Sequence, residues 1–118
     1  MRTYISDTAE LAEDYGIQIG RWEQYGDLGT LPFGAMWCVV PPGGVSAEDV
    51  HPEVEFAIVT RGSAVYEADD DKVEVPTGGV IVLPPGQRHT IHNVSADKPL
   101  VILSLYWIPS PDDDADSG

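Results

Sequence analysis

Positive charge, cysteine and long apolar stretches are all scarce in this chain of 118 residues. Lysine and arginine total 6 against 20 acidic residues, which gives a formal net charge of −14. Nucleic acids and anionic membrane surfaces bind clustered cations, so we expect neither of them as a partner. We also find no window of about 18 apolar residues that could cross a membrane, and no signal peptide. The sequence therefore predicts a cytoplasmic protein.

The single cysteine, Cys38, excludes an internal disulfide and so argues against a disulfide-stapled secreted scaffold. It lies in the apolar run 35–40, and this position favours a buried strand thiol over a nucleophile. The chain length fits one domain, and hydrophobic residues make up 42% of the sequence, which is enough to form a core.

Ten prolines and twelve glycines divide the chain into short runs rich in β-branched and aromatic residues. This pattern is typical of an all-β sandwich or barrel. Only the segment 8–15 has a helical pattern, with Leu11 and Tyr15 four residues apart. We predict strands over residues 17–22, 35–40, 54–60, 63–68, 80–83, 89–93 and 100–107.

The last residues differ in composition from the rest. We predict one domain over residues 1–108 and a disordered acidic tail or linker over 109–118, because a segment of proline, serine and aspartate cannot bury apolar surface. The many apolar strand residues favour a homodimer, in which the run 17–22 could add to the partner's sheet.

The chain has three histidines, and two of them, His51 and His89, lie beside proline- and glycine-rich turns between strands. Imidazole and carboxylate groups together are typical ligands of zinc, iron, manganese or nickel. On an extended backbone Asp49, His51 and Glu55 share one side, whereas His89 and His92 point to opposite sides. These positions predict a metal site that excludes His92.

The spacing of residues around His89 is specific. Gly78, Pro84, Gly86, His89 and Asn93 fit the pattern glycine, five residues, proline, one residue, glycine, two residues, histidine, three residues, asparagine. This pattern resembles the second sequence motif of the cupin superfamily, and the match is complete.

A second segment resembles the first cupin motif, which pairs His-x-His with a glutamate and a glycine. His51, Glu55 and Gly62 match the second histidine, the glutamate and the final glycine. Asp49 stands where the motif has its first histidine, and the gap after Gly44 is one residue short. Together the two motifs span residues 44–93.

The resemblance implies an antiparallel β-barrel of the cupin type (a jelly roll) with little helix. It also implies one divalent metal ion held by His51, Glu55 and His89, with Fe(II) or Zn(II) preferred and Mn(II) or Ni(II) behind them. Asp49 is a fourth ligand, an acceptor for a ligand histidine, or a solvent-facing side chain, and these alternatives stay open. Binding should weaken toward about pH 6, where an unperturbed imidazole gains a proton.

A cupin with this site is expected to be a metal-dependent enzyme that acts on a small molecule. The chemistry would be that of an oxygenase, or Lewis-acid isomerase, lyase or rearrangement chemistry, including hydrazine-type N–N bond formation in biosynthesis. The alternatives are a metal-free ligand-binding or sensory cupin, as in cupin-like barrels that have lost their metal, and an accessory cupin domain of a larger enzyme. Candidate pocket residues by position are Met36, Cys38, Tyr66, Gln87, Ile91, Ser104 and Tyr106.

Overall fold

The structure is a computed structural model that describes residues 1–109. Nine strands account for most of its regular structure. They are β1 (Ala12–Asp14), β2 (Ile17–Arg21), β3 (Gly34–Val40), β4 (Val54–Arg61), β5 (Ala64–Ala68), β6 (Asp71–Val75), β7 (Val80–Leu83), β8 (Thr90–His92) and β9 (Leu100–Trp107). Three short 3-10 helices lie at Ser6–Thr8, Trp22–Gln24 and Gly26–Leu28. Within the described range, no helix has the length and apolar character needed to span a membrane. All but the first residue of the predicted tail, 109–118, lies outside the described residues.

The strands form two antiparallel sheets. The larger sheet has the order β1-β2-β3-β9-β4-β7, and the smaller has the order β6-β5-β8. Hence the predicted all-β class with little helix is confirmed. Over residues 1–109 the two sheets are not hydrogen-bonded into one closed barrel. Instead the segment before β4 runs beside β8, where it forms the isolated bridges Val45–His92 and Asp49–His89.

One prediction about the N-terminal region was wrong. The segment 8–15 is not helical, because Tyr15 (φ 53°) and Gly16 (φ 75°) both adopt left-handed backbone conformations. Two such residues form the tight turn that joins β1 to β2 as a hairpin. Within the chain β2 lies between β1 and β3, and its residues 17–19 pair with β1.

The core lies between the facing surfaces of the two sheets. Alternate residues of each strand point inward, so aligned positions on neighbouring strands form rows across the inner face of the larger sheet. One such row, Ile19, Cys38, Ile102 and Val59, is buried and almost entirely apolar. The residues of the smaller sheet that face it include Ala64, Tyr66, Val75 and Ile91.

The inner face becomes polar toward one end of the larger sheet. The next row contains Arg21, Met36 and Ser104, which are aligned across β2, β3 and β9. One row further on, Tyr106 of β9 is aligned with Glu55 of β4. Because these positions have the same parity as the core residues, the alternation that builds the core also directs these polar groups to one end of it.

Candidate metal centre

Three of the four predicted ligand residues lie together at this polar end. Asp49, His51 and His89 each offer one ligand atom, and these atoms lie within 4.8 Å of one another. Asp49 and His89 are directly opposite each other, because the N–H of each donates to the carbonyl of the other at 3.0 Å. The loop that carries His51 is held by its carbonyl, which accepts from the Gly86 N–H at 2.8 Å. The loops before β4 and β8 therefore bring the three side chains together.

Both imidazole rings are oriented by backbone carbonyls. Nδ1 of His51 lies 3.0 Å from the Glu53 carbonyl oxygen, and Nδ1 of His89 lies 3.0 Å from the Gln87 carbonyl oxygen. A carbonyl can only accept, so each Nδ1 donates its hydrogen. In a neutral ring Nε2 then carries the lone pair, which is the arrangement that commonly fixes metal-binding histidines.

Glu55 lies beside His51 but is not part of the three-residue cluster. Its side chain is buried, with one carboxylate oxygen 3.0 Å from His51 Nε2 and the other accepting from the Ser104 hydroxyl at 2.7 Å. Because His51 Nδ1 faces the Glu53 carbonyl, the Glu55 carboxylate lies beside the other ring nitrogen, the one available to a metal ion.

The donor set of this cluster fits a divalent ion. Nitrogen and oxygen ligands of zinc lie about 2.0–2.2 Å from the ion, so two of them are at most about 4.4 Å apart. The Asp49, His51 and His89 atoms reach this limit after contraction by a few tenths of an ångström. Two imidazoles with one or two carboxylates suit iron, zinc, manganese and nickel.

Two residues of the cluster, Asp49 and His51, line an open cavity of about 200 Å³ together with Glu55, Arg21, Met36 and Tyr106. Cys38 lies deeper in the core and is buried, as the apolar run predicted. Burial, and to a smaller extent the Glu55 carboxylate, raises the pKa of the Cys38 thiol far above its usual range. A thiol held in this neutral form is a poor nucleophile.

The last residue of the second motif, Asn93, has a structural role. Its buried side-chain amide donates to the carbonyl oxygens of Val40, Pro41 and Lys98 at 2.9–3.2 Å. Its side-chain oxygen accepts from the Ser95 N–H at 3.1 Å. Asn93 thus joins the end of β3 to the loop before β9.

His92 lies apart from the cluster. Its Nε2 is 3.2 Å from a Glu67 carboxylate oxygen and 3.2 Å from the Thr90 hydroxyl. Both partners belong to the smaller sheet. This position agrees with the parity argument that separated His92 from His89.

Comparison with known proteins identifies the family. Residues 36–106, more than half of the chain, match the family model described as "Cupin domain". The chain belongs to the cupin family. A Cupin 2 conserved barrel domain protein from Salinispora arenicola is 30% identical, with a TM-score of 0.80, and the match covers 100% of this chain and 98% of that one.

Other solved structures are similar to this cupin. A protein from Photorhabdus luminescens is 25% identical with a TM-score of 0.77, over 98% of this chain and 92% of that one. A predicted oxalate decarboxylase from Thermotoga maritima has a TM-score of 0.72 over 92% of this chain and 100% of that one. At 16% identity the latter likeness shows the fold alone.

The residues proposed from sequence for the pocket separate into distinct places. Met36 and Tyr106 line the open cavity, whereas Cys38 and Ile91 line a small interior cavity below it. Sequence reasoning missed Arg21, which lines the open cavity. The sequence did contain a signal for Arg21. It is two and four residues after the apolar positions 19 and 17 of the same strand, so its side chain is expected on the same, inner face of the sheet.

Proposed function

We propose that this cupin is a metal-dependent enzyme acting on a small molecule, with one divalent ion held by His51, His89, Glu55 and Asp49. The orientation of the two imidazoles is the observation that carries the proposal. Each ring donates from Nδ1 to a backbone carbonyl, which leaves Nε2 as the nitrogen available to a metal. Rings held in place before the ion arrives lose little entropy when it binds.

Fe(II) and Zn(II) are the preferred ions, followed by Mn(II) and Ni(II). When bound, such an ion would supply Lewis-acid chemistry or, in the case of iron, oxygen chemistry. The protein's own groups have separate tasks. Ser104 donates to Glu55 and so holds its carboxylate toward His51, while Asp49 adds negative charge beside His89. The open cavity above them admits the substrate, which undergoes oxygenation, or isomerisation, elimination or rearrangement, including hydrazine-type N–N bond formation.

Metal binding is the first property to measure. Elemental analysis of protein purified without added metal should find a transition metal, and anaerobic titration of the stripped protein with Fe(II) or Zn(II) should reach one equivalent. His51→Ala and His89→Ala should each weaken binding by at least about 100-fold, as expected when a ligand is lost. His92→Ala is the matched control and should bind like the wild type, because its ring pairs with Glu67.

Two results would contradict the proposal. One is wild-type protein that binds no divalent ion. The other is unchanged affinity in both His51→Ala and His89→Ala. Either result would favour a metal-free ligand-binding or accessory cupin.

A further inference from the structure

A positively charged side chain, that of Arg21, lines the cavity above the proposed metal centre. Arg21 is the last residue of β2 and shares this cavity of about 200 Å³ with Asp49 and His51. Among the residues that line the cavity in the part of the chain that the structure describes, it is the only lysine or arginine. In a chain of net charge −14, the cavity wall therefore carries one arginine cation.

Arg21 makes a long hydrogen bond to Tyr106 on the cavity wall. Its Nη1 donates to the Tyr106 hydroxyl at 3.4 Å. The tyrosine ring fits there because Gly34, opposite it on β3, has no side chain, and a Cβ at that position would collide with the ring. Partial burial raises the pKa of Tyr106, so its phenol keeps a proton that it can donate.

The other end of the guanidinium is weakly held. Nη2 lies 3.4 Å from a carboxylate oxygen of Asp14, and the Arg21 and Asp14 side chains are 46% and 51% exposed. Such an exposed ion pair stabilises a protein by at most about 1 kcal/mol. Arg21 can therefore exchange Asp14 for a ligand carboxylate at little cost, and its planar fork suits two parallel hydrogen bonds to that group.

The charges around the cavity indicate when an anion would bind. The lining carries three carboxylates, from Asp49, Glu53 and Glu55, against the single positive charge of Arg21. Without an ion this excess of negative charge repels anions. A divalent ion balances it, because three negative charges then face three positive ones.

We propose that the substrate is a small organic anion with a carboxylate that Arg21 and Tyr106 bind, and a second oxygen-bearing group that faces the metal centre. This inference rests on the proposed metal-dependent function. A cavity of about 200 Å³ is smaller than the roughly 300–1,000 Å³ of sites for drug-sized ligands, so the substrate has few atoms.

The test uses the full chain loaded with Co(II), whose visible absorption reports ligands that reach the ion. Malonate and succinate serve as probes with two carboxylates, and acetate serves as a probe with one. Arg21→Gln should weaken binding of at least one dicarboxylate by about 10- to 100-fold, the loss expected for a pair of charge-assisted hydrogen bonds. It should change acetate binding by less than about threefold, because acetate can bind the ion alone.

Asp14→Asn is the matched control. It removes the ion pair of Arg21 but keeps the guanidinium, so dicarboxylate binding should be retained or tightened. The inference is overturned if Arg21→Gln binds both dicarboxylates like the wild type, or if Asp14→Asn loses as much affinity as Arg21→Gln. Protein that takes up no Co(II) overturns the metal proposal together with the anion site. Normal uptake without dependence on Arg21 overturns the anion site only.

Discussion

Glu55 and Asp49 offer the sharpest test of the metal centre, because the structure gives the two carboxylates different surroundings. Glu55→Gln keeps the size of the side chain, so its amide can still accept from Ser104 and donate to His51. The folded state should therefore lose only the extra strength of a bond to a charged group, about 1 kcal/mol. The apo protein should remain folded, as judged by circular dichroism and urea unfolding.

The effect of Glu55→Gln on metal affinity should be much larger. Two unit charges 4 Å apart interact by about 4 kcal/mol at an effective dielectric of 20, and a divalent ion doubles this figure. Desolvation, and the bond to His51 that must be given up, offset more than half of it. A net loss of about 3 kcal/mol remains, which corresponds to more than about 100-fold in the dissociation constant. Competition against a chromophoric chelator at neutral pH measures this quantity directly.

The control is Glu53→Gln, which removes a negative charge from the same cavity. The Glu53 carboxylate lies 3.8 Å from His51 Nδ1, so its loss should cost less than about tenfold. We expect Asp49→Asn to resemble Glu55→Gln. A loss of 10- to 100-fold would instead mean that Asp49 acts through His89. Unchanged or tighter metal binding in Glu55→Gln would refute the reasoning, because Glu55 would then only compete for the nitrogen that binds the ion.

Three further predictions concern stability and assembly. Asn93→Leu should lower the free energy of unfolding by about 2–5 kcal/mol in urea, because it removes the partners of three carbonyls and one N–H; an unchanged midpoint would contradict the structural role. Cys38 is buried, so it should react with a thiol reagent only after unfolding. Above pH 9.0, the ordinary pKa of the thiol, the unfolded chain loses the Cys38 proton while the folded protein keeps it. The free energy of unfolding should therefore fall as the pH rises above that value. Phe56, Val80 and Val82 make the outer face of the larger sheet apolar and exposed, so we expect light scattering to give the mass of a homodimer. Phe56→Glu should give the mass of a monomer. A monomeric wild type would contradict the proposal.

The strands that sequence analysis found differ from those it missed in how they are stabilised. β4 buries every second residue from Glu55 to Val59, and β9 buries the apolar run 100–102, so both strands leave a hydrophobic signal in the sequence. β6 reads Asp-Lys-Val-Glu-Val, and four of its five residues are exposed. β1 is exposed throughout. Both missed strands are hairpin arms held by backbone pairing to a buried neighbour, and a hydrophobic pattern cannot reveal that kind of support.

The residues of the candidate site also fall into two groups: those that a sequence motif reveals, and those that only contacts between distant segments place at the site. Motif spacing selected His51 and His89, which lie in loops, and Glu55, which lies on β4. Asp49 could not be assigned from sequence, since Pro52 interrupts the extended backbone on which the parity argument depended. In the structure Asp49 reaches the cluster through its backbone pairing with His89, a contact between residues 40 positions apart. The position of the Glu55 carboxylate beside His51 depends likewise on Ser104 of β9, whose hydroxyl donates to it. A ligand set can therefore be proposed from sequence, but the orientation of Glu55 and the role of Asp49 depend on contacts between distant segments.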